Sequence, residues 1–575
     1  MRFARRGRRL LGWTTTRDLR VVDGAFVVLV AIGCLFILWL GRSSTFRIDD
    51  WLFAAEQPPP SVDYLLVPHN EHWSTLMKLP FQLLYAAFGL RTYLPYLGLL
   101  LVAHAATTLA VYALISAVAG RVLAVAVGCT VLFLGSAHEN LFWFASIGFQ
   151  ISISTGVVAL WILVTRPLTT RVTAAIAIML VLSLMSSGAG LAFVAGLGLA
   201  TLLDPARRAA WWAPVTAGAI YVAWYAIWGR SSVAPVAIES VSELPGFIYA
   251  GATNGVALAS GLGRGIGSVI AVVGVGAVWL LVATGRRPTT AAIAGAVGVV
   301  TFLAIAGLVR VDRPLGSEMA AAPRYITTTA VLFAITIAGL LGRPRDRSAA
   351  GLRALALIPI VAVALIGNGR ALVIAGERYA TEATDRRAAL GIWAAMTDAP
   401  AVRDSKHLPL AAATLTRVAA IGGLPTQDEL RPTVILPITS AIRDRALFSL
   451  VRDDLVVAAA VPEVREPAAV HGVEGTFHAT SSPAAAGCLE DRAAGPDNLA
   501  WFRIPSGGSF RVVPRGSGQL TIHLAREADF QPAASSHYPV MTSVPYRVTV
   551  PDLGDRPPWR VAVHLGAGID AATIC

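Results

Sequence analysis

Long apolar runs recur along the first 370 residues, and they constrain the fold of this chain more than any other feature. A helix needs about 20 mostly apolar residues to cross the hydrocarbon core of a bilayer. Apolar segments of roughly this kind lie at residues 24–40, 93–117, 122–137, 147–165, 172–187, 189–203, 211–228, 264–284, 289–309, 325–342 and 352–368. Charged residues make up only 14% of the 575 positions, whereas soluble proteins carry about 25%. The sequence therefore predicts a polytopic α-helical membrane protein with about 11 transmembrane helices.

Two stretches leave the local arrangement open. Residues 172–203 form either two short helices hinged at Ser186–Ser187–Gly188 or one long tilted helix. The apolar stretch at 246–262 is rich in glycine, which lowers helix propensity. That composition favours a re-entrant or interfacial segment over a spanning helix.

Arginines outside the apolar runs predict the orientation of the chain. Residues 1–23 carry seven arginines, and such a cluster holds an N-terminus in the cytoplasm. The first apolar run has no A-x-A-like cleavage site after it, which favours a signal anchor over a cleavable signal peptide. Further arginines lie in short loops that the predicted spans place on the same side, at Arg121, Arg166, Arg171, Arg207, Arg208, Arg286, Arg287, Arg343, Arg345 and Arg347. An odd number of spans then places the C-terminal region outside.

These patterns predict a multi-pass protein of the bacterial cytoplasmic (inner) membrane, with membrane lipids as its surroundings. The net charge of +12 comes from arginines at the predicted membrane boundaries. No basic run is interleaved with aromatic residues that stack on bases. We therefore expect no nucleic-acid partner.

The composition changes after Gly367 and divides the chain. We expect a cytoplasmic N-terminus at 1–23, a transmembrane domain at 24–368 and an extracytoplasmic domain at 369–575. The transmembrane domain includes a long first outer loop at 42–92. In the C-terminal domain a helical pattern covers about 375–400. The region from about 470 is β-rich, and its short runs between turn residues fit a β-sandwich or jelly roll.

The four cysteines agree with this division. Cys34 and Cys129 lie within predicted spans, where cysteine usually packs as a small apolar residue. Cys488 and Cys575 both lie in the predicted outer domain, an oxidising setting in which a disulfide between them is expected. The sequence does not fix the distance between these two residues.

Polar residues cluster at three places that the predicted topology puts on the outer face. The outer loop contributes Asp49, Asp50, His69, Glu71, His72, Trp73 and Lys78. The next outer turn contributes His138, Glu139 and Asn140, and the approach to the tenth run contributes Arg310, Arg313, Arg324 and Tyr325. Ionisable groups at membrane depth are functional candidates. The convergence predicts one extracytoplasmic site.

Each cluster also has a plain structural interpretation. His69 and His72 either hold a metal from one face of a helix or make structural hydrogen bonds. The tryptophans form an interfacial belt, or one of them stacks on a sugar. Arg324 either snorkels to the interface or grips a phosphate through two hydrogen bonds.

The layout resembles the GT-C glycosyltransferases, which use polyprenyl-phosphate sugars and include protein mannosyltransferases and actinobacterial arabinosyltransferases. The matching features are the first span, the motif Ile48–Asp49–Asp50–Trp51 at its outer end, the long outer loop, about ten further spans and an outer C-terminal domain. That domain is similar in placement to the carbohydrate-binding modules of arabinosyltransferases. Only two of the 47 basic residues are lysine, which indicates a GC-rich genome and fits an actinobacterial source.

The resemblance implies an inverting transfer of a sugar from a polyprenyl-phosphate donor to a cell-envelope glycan, lipid or protein acceptor. Asp49 would take the acceptor proton, and Asp50 would orient the acceptor or assist Asp49. Arg310, Arg313 or Arg324 would stabilise the phosphate leaving group, with His72 and Lys78 as helpers. The resemblance leaves open whether a divalent metal takes part.

Three other functions stay open from the sequence. A ligase or polymerase of lipid-linked glycans also uses outer arginines and histidines. A flippase or transporter of lipid-linked sugars would show internal repeats and charges at mid-bilayer, and neither feature is evident. A non-catalytic envelope assembly protein would keep the layout with an inactive site.

Overall fold

The computed structural model describes most of the first 395 residues and much of the C-terminal β-rich region. The described residues are 16–55, 61–231, 238–261, 265–266, 268–269, 276, 288–311, 316–344, 346–395, 447, 456–459, 471–474, 482–484, 488–492, 501–525, 534–553 and 559–574. The chain divides into two compact units, Met1–Ala380 and Thr381–Cys575. The predicted boundary at 368/369 falls inside a continuous helix that runs from Arg347 to Ala395.

The first unit is built from helices. In chain order they are α1 (Thr16–Leu40), α2 (Ile48–Ala55), α3 (Val62–Leu66), α4 (Thr75–Phe88), α5 (Leu94–Ala119), α6 (Arg121–Leu132), α7 (Glu139–Phe142), α8 (Ile147–Thr165), α9 (Thr170–Leu184), α10 (Ala189–Leu203), α11 (Trp212–Ile227), α12 (Ile238–Ala259), α13 (Thr290–Arg310), α14 (Pro323–Leu341) and α15 (Arg347–Ala395). Small residues allow several of these helices to approach closely. A Cβ atom at Gly196 of α10 would lie 2.4 Å from the backbone oxygen of Ala294 in α13.

Within the described residues, six helical segments are long and apolar enough to cross a membrane. They are Arg20–Ser43, Leu94–Ala119, Phe144–Thr165, Thr290–Arg310, Pro323–Leu341 and Ala350–Leu390. Large apolar side chains are exposed along them, such as Leu35 (64%) and Ile366 (74%). Apolar surface of this kind is expected where lipid is the solvent. The predicted helical architecture is confirmed, and these six helices are candidate membrane spans by length and composition.

The predicted count of about 11 spans is wrong for the described structure. The apolar runs at 122–137, 172–187 and 189–203 form helices of 12, 15 and 15 residues. A helix rises about 1.5 Å per residue, so these helices are shorter than the roughly 30 Å hydrocarbon core. The run at 211–228 forms a 16-residue helix. Most of the run at 264–284 lies outside the described residues.

The two open stretches have definite conformations. Residues 172–203 form two helices, α9 and α10, separated at Ser186–Ser187–Gly188. The alternative of one long tilted helix is therefore wrong. The stretch at 246–262 belongs mainly to α12, which contains Pro245 near its start.

The second unit contains eleven described strands in two antiparallel sheets. The strands are β1 (Val456–Ala459), β2 (His471–Glu474), β3 (Ser482–Ala484), β4 (Cys488–Arg492), β5 (Trp501–Ile504), β6 (Ser509–Gly516), β7 (Gly518–Ala525), β8 (Ala534–Val540), β9 (Tyr546–Thr549), β10 (Trp559–Leu565) and β11 (Ile569–Ile574). One sheet has the order β1-β9-β6-β11-β4-β3 and the other β2-β5-β10-β7-β8. The predicted β-rich region is confirmed.

Alternation along the strands explains why they form sheets. In β7, Leu520, Ile522 and Leu524 are fully buried at every second position, so one face of the sheet is apolar. β10 pairs with β7 in a register that sets Val561 opposite Leu524 and Val563 opposite Ile522. The side chain of Cys488 and the whole of Cys575 lie outside the described residues, so their disulfide stays a prediction.

Candidate functional site

A cavity of about 420 Å³ lies within the first unit, and residues of two of the three predicted polar clusters line it. Seven predicted site residues line it directly: Asp49, His69, Glu71, His72, Arg310, Arg324 and Tyr325. These residues come from α2, from the segment between α3 and α4, from the end of α13 and from the start of α14. The fold therefore joins polar segments that are up to about 270 positions apart in the sequence.

The four residues of a tight turn at His69–Asn70–Glu71–His72 all line the cavity. The backbone N–H groups of His69 and His72 each donate to the carbonyl oxygen of the other residue, both at 3.1 Å. Asn70 has φ 51, in the left-handed region that asparagine tolerates better than most residues. The alternative in which both histidines lie on one face of a helix is therefore wrong.

Asp49 reaches the cavity from the first turn of α2. Its side chain is 22% exposed, and its Oδ1 lies 3.6 Å from Nε2 of the buried His69. Carboxylates in the first turn of a helix interact favourably with the helix dipole. The arrangement leaves Asp49 within reach of a ligand and places an imidazole beside it.

Asp50 is the neighbour of Asp49, yet it points away from the cavity and is fully buried. Its Oδ2 accepts a hydrogen bond from the backbone N–H of Arg47 at 2.8 Å. Burial raises the pKa of Asp50 to about 8, and the negative charge of Asp49 adds to the increase. Asp50 is therefore protonated at neutral pH and does not line the cavity, and its predicted role with the acceptor stays a prediction.

Asp50 should make the stability of the protein depend on pH. Between about pH 4 and pH 8 the folded protein keeps Asp50 protonated, while the unfolded chain releases this proton. Because the folded state then binds more protons, its stability falls as pH rises through this window, by a few kcal/mol. Asn at position 50 has no proton to release. The unfolding temperature of Asp50→Asn in detergent should rise relative to that of the parent protein between pH 5 and pH 8.

The exposed Asp63 of α3 provides the matched control for this measurement. Asp63→Asn should show the same pH dependence as the parent protein. A difference between Asp50→Asn and the parent that stays constant from pH 5 to pH 8 would contradict a buried, protonated Asp50.

Glu71 and Arg310 form an ion pair on the cavity wall. Arg310 Nη2 donates to Glu71 Oε1, and the two side chains are only 16% and 12% exposed for Glu71 and Arg310. Arg310 Nε also donates to the Tyr325 hydroxyl at 3.3 Å. This pairing engages the Glu71 carboxylate with Arg310. Among the described residues, Asp49 and Glu71 are the carboxylates that line the cavity, and Asp49, with an imidazole beside it, is the better candidate base.

Two residues of the second predicted cluster form hydrogen bonds with Arg324. Its Nη1 donates to Glu139 Oε2 at 3.2 Å. The side-chain nitrogen of the buried Asn140 donates to the backbone oxygen of Arg324 at 3.0 Å and to Thr327 Oγ1 at 2.9 Å. Glu139 and Asn140 do not line the cavity. They orient an arginine that does.

His72 is neutral at neutral pH. Burial lowers its pKa, and Arg310 and Arg324 lower it further, against the opposing effect of Glu71. Its side chain is 28% exposed and lines the cavity. The backbone N–H of Gly188 donates to Nδ1 at 3.4 Å. The proton of the neutral ring is therefore on Nε2, which lies 3.9 Å from Glu71 Oε1.

Three predicted site residues have structural contacts away from the cavity. Lys78 is buried, and its Nζ donates to the backbone oxygens of Tyr64 at 3.1 Å and Val67 at 2.8 Å. Trp73 stacks on Trp224 with ring centroids 5.1 Å apart.

His138 also lies away from the cavity, with its Nδ1 3.5 Å from the Tyr379 hydroxyl. Arg313 lies outside the described residues. Its predicted role in phosphate binding stays a prediction.

The cavity also contains residues that the sequence did not single out as site residues. Ser186 and Ser187 line it from the break between α9 and α10, and Trp143 and Phe149 add aromatic surface. The Ser–Ser–Gly break in an apolar run was a usable signal, since polar residues between short membrane helices often line a cavity. The sequence pattern predicts a hinge there and does not predict a cavity wall.

In the part of the chain that the structure describes, no group of three or more His, Cys, Asp or Glu residues could hold a metal ion. Among the described residues, the arginines on the cavity wall are Arg310 and Arg324. The arrangement combines a carboxylate, two arginines and aromatic surface, a set that can hold an anion beside a proton acceptor. Compared with protein-family models, with curated proteins and with solved structures, the chain matches none.

Proposed function

We propose that the protein is a membrane glycosyltransferase that moves a sugar from a polyprenyl-phosphate donor to a cell-envelope glycan, lipid or protein. The observation that carries this proposal is the meeting of Asp49 with Arg310 and Arg324 around one cavity. Transfer of a sugar from a phosphate to a hydroxyl requires a proton acceptor next to groups that bind phosphate. The candidate spans fit a protein embedded in a membrane, which is where a polyprenyl lipid is dissolved.

In the proposed reaction, Asp49 accepts the proton of an acceptor hydroxyl as that oxygen attacks the anomeric carbon. The bond between the anomeric carbon and the phosphate oxygen breaks, and its electrons leave with the polyprenyl phosphate. Arg324 and Arg310 stabilise the charge that develops on this leaving group. One displacement of this kind inverts the anomeric centre. Phe149 and Trp143 offer aromatic faces against which a sugar ring can pack.

We also propose an orientation of the protein in the membrane. The N-terminus lies in the cytoplasm of a bacterial cell, and the cavity and the C-terminal unit lie outside the cytoplasmic membrane. The two sheets of that unit pack as a sandwich and hold the acceptor glycan. The seven arginines of residues 1–23 support the cytoplasmic N-terminus.

A transfer assay with the purified full-length protein tests this function. The protein in detergent or liposomes receives a radiolabelled polyprenyl-phosphate sugar and an envelope glycan acceptor. The expected result is a labelled glycan and released polyprenyl phosphate, both dependent on the acceptor. Movement of labelled lipid across liposomes without an acceptor would identify a flippase instead. Joining of whole lipid-linked glycans would identify a ligase or polymerase, and no reaction with any donor would favour a non-catalytic assembly protein.

A further inference from the structure

The two arginines of the cavity have partners in different places. Arg324 pairs with Glu139, which does not line the cavity. Arg310 pairs with Glu71, which lines the same cavity as Arg310 itself. An anion that enters the cavity therefore meets Arg324 without disturbing its pair. At Arg310 the anion meets a guanidinium that a carboxylate already occupies.

The contacts of Arg310 define a position for an anion. Its Nη2 donates to Glu71 and its Nε donates to the Tyr325 hydroxyl. Its Nη1 is buried and has no hydrogen-bond partner among the described residues. A guanidinium binds carboxylate and phosphate with the same forked geometry. The Glu71 carboxylate thus fills a position that suits a phosphate group.

Glu71 also has a second position available. Nε2–H of the neutral His72 lies 3.9 Å from Glu71 Oε1 in the paired state, so a small rotation would bring the carboxylate into hydrogen-bond distance of His72. The reciprocal backbone bonds of the turn at His69–His72 hold the main chain in place. The Glu71 side chain can therefore move between Arg310 and His72 without movement of the turn.

We propose that Glu71 is an internal competitor for the anion position at Arg310. A phosphate that enters the cavity displaces the Glu71 carboxylate onto His72, and the return of Glu71 to Arg310 expels the phosphate. The identification of that phosphate with the donor rests on the proposed function. In that setting Glu71 is a positioning residue that weakens donor binding and speeds the release of polyprenyl phosphate.

Binding of inorganic phosphate to the full-length protein in detergent tests the competition without any transfer reaction. Glu71→Gln should bind inorganic phosphate about tenfold more tightly than the parent protein, because an uncharged side chain competes poorly for a guanidinium. The matched control is Asp63→Asn, which should leave phosphate binding unchanged because Asp63 is exposed and does not line the cavity. Equal or weaker binding by Glu71→Gln would overturn the proposal.

A second variant keeps the test decisive if Glu71→Gln does not fold. Glu71→Asp keeps the charge on a side chain one methylene shorter, so it should tighten phosphate binding by a smaller factor. Unchanged binding by a folded Glu71→Asp would then overturn the proposal.

Kinetics distinguish the competitor from the proposed function. If the transfer assay succeeds, Glu71→Gln should lower both KM for the donor and kcat, since the product leaves more slowly. A rise in KM would overturn the role of Glu71 alone. If no transfer occurs with any donor, the proposed function fails, and the phosphate titration still decides the competition at Arg310.

Discussion

Asp49→Asn should slow sugar transfer by about a hundredfold to ten-thousandfold, the range for loss of a general base. Asparagine has nearly the volume of aspartate but accepts no proton from the attacking hydroxyl. Because the Asp49 side chain is partly exposed on the cavity wall, the substitution should leave the fold intact. The measurement is the initial rate of acceptor glycosylation at saturating donor, with the unfolding temperature as a check on folding.

Asp63→Asn is the control for the loss of one carboxylate near α2 and α3. Asp63 is exposed and does not line the cavity, so the rate should not change. Full activity in Asp49→Asn would reject Asp49 as the base. Glu71 would then be the remaining carboxylate on the cavity wall to test.

Arg324→Gln should lower kcat/KM for the donor by about a hundredfold to a thousandfold, as expected for loss of a group that stabilises charge in the transition state. Glutamine keeps a polar side chain but cannot balance the charge of the departing phosphate. Arg324→Lys should recover part of the rate, since it restores the charge without the forked geometry. The measurement is the dependence of the initial rate on donor concentration.

Removal of Arg324 leaves Glu139 partly buried without its partner, which lowers stability on its own. The double variant Arg324→Gln with Glu139→Gln removes both charges and should recover stability but not activity. Arg171→Gln, at an exposed arginine outside the cavity, should behave like the parent protein. Recovery of activity in the double variant would assign the effect of Arg324 to folding alone.

The sequence identified the residues of the cavity better than it identified their roles. Seven of the candidates line the cavity, because polar side chains in an apolar chain are scarce and gather where the fold needs them. Asp49 and Asp50 show the limit of that argument. Successive helical residues point about 100° apart, so two adjacent acids can have different surroundings, and the motif does not say which of them lines the cavity.

Lys78 shows a second limit. A lysine in an outer loop suits phosphate binding, yet its Nζ is bound by the backbone oxygens of Tyr64 and Val67. Those carbonyl groups belong to a helix end, where backbone oxygens lack helical partners. Which carbonyl oxygens need such a partner depends on the residue at which α3 ends. No residue pattern in the sequence encodes that position.

By itself, the sequence determined the helical architecture with its candidate membrane spans, the β-rich C-terminal region and the neighbourhood of the candidate site. These features follow from composition and from periodicity, which act over a few residues along the chain. Only the tertiary structure decided which helices are long enough to span, that Asp49 rather than Asp50 lines the cavity, and that Glu71 pairs with Arg310 while Glu139 pairs with Arg324. Each of these depends on packing between segments far apart in sequence, where burial and the distance between charges are fixed.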